Sequence, residues 1–425
     1  MHFVDVAGIS RVKVVPASRI ESVVRSGVGW SSVWAVVTVD EHFALEPPFD
    51  TPAGDDRLVP DATSMRSLGC LPGWSWAPAS LYDQQLEPLA TCPRGAVTRA
   101  TEALAATGLA VLATFEVEMT LLRDGAPATP GPGYSVRSLV AIEPFVSDLA
   151  AELEHVGIPV EQLHPEYSPG QFEVSTGPCS PLEAADRLLL LRFVTRAVAA
   201  RHGLDVSFAP VAFAGGLGNG NHLHLSLWRD GVNLMADGAD AAGMHPDGAA
   251  FVAGLLAELP ALMAVIAPSI PSYLRLVPGH WSGAYTAWGV ENREAALRFI
   301  PGTVTSRARS ANVELKTVDG AANPYLAIAA ALVAGAAGVA RKLALPEATS
   351  EDPATLDAAT VLARAIRRLP ATLGEAIEPF AMSETLRAGL GPLLHASIAA
   401  VRRKEWADHG ADDEETLVAL HRFLY

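Results

Sequence analysis

An α+β fold is the class this 425-residue sequence predicts, and three observations carry that expectation. Strict apolar/polar alternation recurs around Glu116, His222 and Glu314, and a period of two is the signature of a half-buried strand. Long apolar stretches of helical character lie between those strands. Strands and helices interleave without the regular β-α-β order of a doubly wound sheet, so antiparallel pairing is expected. The length is large for one domain, so two are expected, divided as 1–98 and 99–425.

The elements follow in order. Phe3–Val6 and Arg11–Val15 flank Ala7-Gly8 as a hairpin, and Val33–Val39 reads as a further strand. Pro16-Ala17-Ser18 reads as the cap of a short helix, Arg19–Arg25. Pro47–Gly54 is a Pro/Gly/Asp loop, and strands and turns run from Pro60 to Pro93, with Trp74 and Trp76 among them. Beyond the boundary come a helix over Gly95–Thr107, a strand over Leu109–Leu122 and a loop over Gly125–Gly133. Ser135–Val156 is a helix broken near Pro144, Glu166–Ser175 a strand, and Ser180–Arg201 a long helix. After the histidine strand come helices over Ala249–Ala267, Asn323–Leu343, Leu356–Leu369 and Leu386–Lys404, with Pro370 as a stop signal.

Composition narrows the function. Net charge is −16, from 31 basic and 47 acidic residues, which argues against nucleic acid or an anionic lipid surface as partner. Cys70, Cys92 and Cys179 show no metal-type spacing and no disulfide framework, so a cytoplasmic protein is expected. No secretory signal is visible at the N-terminus. The longest apolar run, Leu326–Ala340, is too short to cross a bilayer and reads as a buried helix.

The stretch Gly215–Trp228 holds the densest chemistry. Four glycines in six residues, with their access to positive φ, let a ligand approach the backbone. Alternation then sends His222, His224 and Ser226 to one face and Leu223, Leu225 and Leu227 to the other. Glu116 and Glu118 share a face of the strand Phe115–Met119, where like charges need cationic compensation. Glu166 and Glu173 flank a Pro-Gly turn, and Glu314 shares a face with Lys316. Satisfied core histidines, solvated strand faces and an edge-strand ion pair are the plainer readings of each motif taken singly. Together, five acids and a histidine on four strands could surround two divalent ions, and oxygen and imidazole donors suit Mg²⁺ or Mn²⁺ rather than structural zinc. Arg275, Arg293 and Arg298 add the planar forks that bind carboxylate and phosphate, as phosphoryl transfer requires.

These motifs, in this order, resemble the glutamine synthetase family: Glu116-Val-Glu118, Glu166…Pro-Gly-Gln-Phe-Glu173, Gly218…His222-Leu-His224, Tyr273-Leu-Arg275-Leu-Val-Pro, Asn292-Arg293…Arg298 and Glu314…Asn323-Pro-Tyr-Leu. The resemblance covers roughly residues 110–330, with a weaker likeness of 1–100 to the family's small β-grasp domain. It implies a curved antiparallel catalytic sheet flanked by helices, ATP as co-substrate and two or more Mg²⁺ or Mn²⁺ ions per site. It also implies attack of the glutamate γ-carboxylate on ATP, then displacement of phosphate from γ-glutamyl phosphate by an amine. By position, Glu118, Glu166 and Glu173 would hold one metal, and Glu116, His222 and Glu314 the second. His224, Ser226 and Arg298 would contact ATP; Gly218, Arg275 and Arg293 would bind glutamate. Arg275, Arg293, Arg298, Lys316 and Trp281 are the expected catalytic set. The family also implies a homo-dodecamer or other ring homo-oligomer.

Departures from the pattern point to the acceptor. Trp281 stands where ammonia-using members carry the glutamate that closes the site, and Gly29-Trp30-Ser31-Ser32 lacks their ammonium-binding aspartate. Lys316 and Asn312 each stand in place of an arginine. An indole packs an alkyl group or an alkylammonium but takes no proton. The chain is therefore expected to be a glutamate–amine ligase using an organic amine, with Trp30 and Trp281 shaping the amine pocket. An ammonia-using glutamine synthetase and a non-catalytic structural or regulatory member are the alternatives.

Overall fold

The computed structural model describes residues 1–51, 53–240 and 242–425. Pro52, inside the expected Pro47–Gly54 loop, lies outside the described residues. The centre of the molecule is a ten-stranded sheet whose main path runs Val160–Pro165, Gln171–Thr176, Ala110–Arg123, Asn221–Arg229, Asn312–Leu315, Leu297–Ile300, Trp288–Val290. Every neighbouring pair on this path is antiparallel except the last, which is parallel. The class expected from alternation is therefore the class observed.

One face of this sheet is the core. Leu223, Leu225 and Leu227 of the histidine strand and Phe115, Val117 and Met119 of the carboxylate strand are buried there. Pro181–Arg201 packs on that face, and the helices Pro246–Ile266 and Pro324–Arg341 extend the same core behind it. Pro181–Arg201, Pro246–Ile266 and Pro324–Arg341 each begin with proline in the first turn, where its missing N–H costs no hydrogen bond. The second and third pack closely on one another: a Cβ on Gly254 would meet the Gly338 backbone at 2.8 Å. Pro246–Ile266 and Pro324–Arg341 are also long and apolar enough to cross a membrane, with mean hydropathies of 2.1 and 1.5, but most of each is buried in the protein. Apolar character here serves the core, and Pro246–Ile266 exceeds the longest run noted in the sequence.

The N-terminal region is small and rich in strands. His2–Val4 and Ser10–Val12 form the expected hairpin, and Val28–Ser31, Asp55–Pro60 and Ala79–Tyr82 form a three-stranded antiparallel sheet. A separate small core of Phe3, Trp30, Leu58, Ala79, Leu81 and Cys92 lies under it. Val4, Val6 and Ile9 instead join the large core, and Asn323 Nδ2 donates to the carbonyls of Val4 and Asp5. The first hairpin is thus tied to the large body.

Several local expectations are corrected. Residues expected as a strand over Val33–Val39 form a 3₁₀ helix, Ser32–Val36. Pro16-Ala17-Ser18 supplies no side-chain cap; a 3₁₀ turn leads directly into Ile20–Ser26. The helix expected over Leu356–Leu369 is only Ala358–Ala363, because Ala365 takes φ +52° well before Pro370. The one expected over Leu386–Lys404 is two, Glu384–Leu390 and Pro392–His409, broken where Gly391 takes φ +91° ahead of a proline. Helices Leu373–Met382 and Glu414–His421 and the strands Val160–Pro165, Trp288–Val290 and Leu297–Ile300 were not legible, being short or without clean periodicity.

Candidate active site

The face of the sheet opposite the leucines carries the ionisable residues, and strand register brings them together. Glu173 lies opposite Glu118, His222 opposite Glu116, and His224 and Arg298 flank Glu314 on either side. Motifs spread over 200 residues of sequence thus become lateral neighbours on five adjacent strands. Glu314 and Lys316 are not an edge-strand ion pair, since this strand is interior and both side chains are buried.

A cavity of about 380 Å³ opens on this face. Of the expected site residues, Glu116, Glu118, Glu166, Glu173, Gly218, His222, Arg275, Trp281, Arg293, Arg298, Glu314 and Lys316 line it. His224 and Ser226 do not; the Ser226 hydroxyl accepts from Trp228 Nε1 at 2.8 Å. Trp30 is also away from it, buried in the small N-terminal core, so within this chain it does not shape the pocket.

The glycine loop works by space more than by dihedral freedom. Gly215 takes φ +68°, but Gly216, Gly218 and Gly220 do not take positive φ. A Cβ on Gly218 would lie 2.5 Å from Arg275 Cγ, and one on Gly220 would lie 2.2 Å from His222 Nε2. Glycine is needed because two site residues press on the loop.

Hydrogen bonding orients the rest. Glu118 Oε2 accepts from Gly220 N at 2.7 Å and from Gln171 Nε2 at 3.0 Å. Arg275 is buried, and its Nη2 donates to the Lys316 carbonyl at 2.7 Å and lies 3.2 Å from His222 Nε2. A guanidinium has no acceptor. That contact makes His222 Nε2 the acceptor and leaves Nδ1–H to donate to Glu116 Oε1 at 3.0 Å, with Glu314 Oε1 at 3.3 Å. Arg298 Nη1 and Lys316 Nζ reach Glu314 at 3.0 and 3.4 Å.

The carboxylates divide electrostatically. Burial would raise Glu314, but Lys316, His222, His224 and Arg298 outweigh it and hold the carboxyl well below the usual range. Burial likewise opposes ionisation of Glu116, yet the His222 hydrogen bond and the two imidazoles bring it down to about 2. Glu173 goes the other way, to about 9, through burial and the crowding of Glu116, Glu118 and Glu166. That crowding is what a divalent cation relieves.

Two ligand clusters result, with donor atoms within 4.8 Å of one another: Glu116, His224 and Glu314, and His164, Glu166 and Glu173. His224 Nδ1 lies 3.0 Å from Asn312 Oδ1, while its Nε2 is buried without a hydrogen-bond partner, 3.7 Å from Glu116 Oε2. An imidazole anchored through one nitrogen and free at the other is the usual state of a metal ligand. The site therefore fits divalent ions. Donor spacing brings His224 to Glu116 and Glu314 and His164 to Glu166 and Glu173, while His222, of the expected set, lies with Nδ1 3.0 and 3.3 Å from Glu116 and Glu314, and Glu118 stands opposite Glu173.

Four residues at the site were missed. His164 sits two positions before Glu166, at strand spacing, on the strand Val160–Pro165. Tyr134 donates from its hydroxyl to Glu166 Oε1 at 2.5 Å. Gln171 lies within the Pro-Gly-Gln-Phe-Glu motif, and Asn219 Oδ1 accepts from its Nε2 at 3.3 Å.

Residues 90–416 match the family described as glutamine synthetase, catalytic domain. The chain is 45% identical to the gamma-glutamylpolyamine synthetase GlnA3 of Streptomyces coelicolor, over 100% of this chain and 93% of that protein. It is 30% identical to the glutamate–methylamine ligase of Methyloversatilis universalis, over 96% and 92%. A crystal structure described as a novel glutamine synthase homolog superposes with a TM-score of 0.89 at 33% identity, covering 100% of this chain and 97% of that one.

Proposed function

The chain belongs to the glutamine synthetase family, and on that premise we propose that it is an ATP-dependent ligase joining the γ-carboxylate of glutamate to an organic amine. The observation that carries this reading is the cavity where paired carboxylates, His222, three arginines and a lysine converge, with Trp281 lining it in the place where the resemblance expects an acidic residue in ammonia-using members. The small strand-rich N-terminal region and the large α/β body are those of the family.

The reaction has two steps. A γ-carboxylate oxygen of glutamate attacks the terminal phosphorus of ATP, ADP leaves, and γ-glutamyl phosphate forms. The amine nitrogen then attacks the acyl carbon, the C–O bond to phosphate breaks, and the nitrogen gives up a proton. Mg²⁺ or Mn²⁺, when bound, neutralises the phosphate oxygens and favours their transfer. Glu116, Glu314 and His224, with His222 adjacent, would hold one ion; Glu166, Glu173 and His164, with Glu118 adjacent, the other.

The protein's own groups orient and compensate. Arg275, fixed by the carbonyls of Lys316 and Thr317 and pressed on Gly218, would hold the glutamate α-carboxylate. Arg293 and Arg298 would neutralise the migrating phosphoryl group, and Lys316 holds Glu314 ionised beside them. His224, if not a metal ligand, remains the expected ATP contact; Ser226 is held by Trp228 away from the cavity, which weakens its assignment.

Among organic amines, a polyamine is the acceptor that the relative at 45% identity supports. A ring homo-oligomer and a cytoplasmic location belong to the same proposal; the first rests on the family, the second on three buried, unpaired cysteines. So does the division at 1–98 and 99–425. Incubation with ATP, Mg²⁺, glutamate and putrescine or spermidine should yield the γ-glutamyl conjugate, the sum of the two substrates less one water by mass. Glutamine as the dominant product in a mixture of ammonium and polyamine would overturn the reading.

A further inference from the structure

Large, partly apolar side chains line the cavity and stay open to solvent. Tyr134, Tyr167, Leu217 and Trp281 all line it, and all remain exposed, at 64%, 66%, 42% and 60%. Single exposed apolar side chains are ordinary; four at one opening mark a surface that something apolar covers. The amine must pass this opening to reach the γ-glutamyl phosphate, so its hydrocarbon chain is what these exposed side chains meet.

Trp281 is held there against its own backbone preference. Its φ is +54°, a conformation that residues with a side chain avoid. Glu294, which is buried, accepts the Trp281 N–H through Oε1 at 2.9 Å. Glu294 is itself set by Asn292, whose Oδ1 accepts the Glu294 N–H at 3.0 Å and whose Nδ2 donates to the carbonyls of Thr349 and Glu351. Two residues on, Gly283 lies so close to Ala296 that a Cβ would be 2.7 Å from its Cα. The loop carrying Trp281 is therefore docked onto the segment 292–296 at two points.

Arg293, between Asn292 and Glu294, places its guanidinium 5.8 Å from the centre of the Trp281 ring. A fixed cation beside the indole disfavours a second one at the same ring, so this ring is better suited to packing a carbon chain than to seating the ammonium.

We propose that Glu294 is a positioning residue for acceptor selection. Its carboxylate fixes the backbone of Trp281 so that the indole, with Tyr134, Tyr167 and Leu217, forms an apolar wall for the carbon chain of the amine. This rests on the reading of the protein as a glutamate–amine ligase and names the part of the amine that the mouth recognises. Glu294 touches neither ATP nor glutamate in that account, so its loss acts on one substrate only.

The test is steady-state kinetics with butylamine, putrescine and methylamine as acceptors, for wild type, Glu294→Ala, Glu294→Gln and Trp281→Ala. Glu294→Ala should raise KM for the four-carbon amines about tenfold and leave methylamine within about twofold. KM for ATP and glutamate should stay near wild type. Glu294→Gln keeps an oxygen acceptor and should stay close to wild type, while Trp281→Ala should raise KM for butylamine at least as much as Glu294→Ala. An unchanged KM for butylamine in Glu294→Ala, or parallel rises for all three substrates, would overturn the proposal. Should Glu294→Ala not fold, Glu294→Gln and Trp281→Ala decide: a butylamine KM unmoved by Trp281→Ala overturns it. Failure of any amine to stimulate the wild-type enzyme would instead remove the functional reading on which it rests.

Discussion

His222 and Glu116 stand opposite one another in the sheet register, with Nδ1 3.0 Å from Oε1, while Nε2 of the same ring faces the buried guanidinium of Arg275 at 3.2 Å. One imidazole therefore connects the carboxylate floor to the arginine assigned to glutamate. The site behaves as one network, and its predicted sensitivities follow from that.

Removing a carboxylate from the floor should stop both steps whatever the acceptor. Glu116→Ala or Glu314→Ala should lower phosphate release by about 100-fold or more, as should chelation of divalent ions, with the circular dichroism spectrum retained. Turnover within a few-fold of wild type in either variant would contradict the two-ion assignment.

Gly218→Ala tests the packing of loop on arginine. The added Cβ would lie 2.5 Å from Arg275 Cγ and 2.7 Å from the Pro210 carbonyl, so the arginine must move. A displacement of about 1 Å at a clamp costs on the order of 100-fold in efficiency. The loss should appear in kcat/KM for glutamate, and the same value in variant and wild type would show that the loop has slack.

The alternating strands made much of this legible. Glu116/Glu118, His222/His224 and Glu314/Lys316 each announced a shared face, and all but His224 of these line the cavity. Illegible were the positions set by lateral neighbours: His164 lies on a strand without clean periodicity, and Tyr134 sits in a loop at φ +56°. Nor could spacing reveal which imidazole would be left with a free nitrogen. That depends on Arg275 reaching His222 and Asn312 reaching His224, across gaps of 53 and 88 residues.

Trp281→Glu places a carboxylate where the indole now stands, on a backbone that Glu294 continues to hold. Preference should move toward ammonium, by about tenfold in the ratio of kcat/KM values for ammonium and putrescine. An unaltered ratio would remove Trp281 from acceptor selection.

Acid should destabilise the fold through two buried histidines. Burial, with lesser contributions from neighbouring cations, lowers His2 and His421 to about 3. The folded protein keeps both neutral while the unfolded chain protonates them below pH 6.5, so the native state binds fewer protons. Their stabilisation is complete above pH 6.5 and is lost as pH falls toward 3, at up to about 1.4 kcal/mol per pH unit for each group. Asp5 and Asp319, raised to about 6, act with the opposite sign between their unfolded and folded values, so a variant comparison isolates the histidine. Urea unfolding at pH 7, 6 and 5 should show a shallower pH slope for His421→Gln than for wild type; equal slopes would contradict the assignment.

The most direct measurement is phosphate release from ATP in the presence of glutamate and Mg²⁺, with ammonium and a series of alkyl, hydroxyalkyl, aryl and polyamines offered in turn. Strong stimulation by an organic amine, with little by ammonium, is the predicted result. Ammonium as the best acceptor would contradict the account.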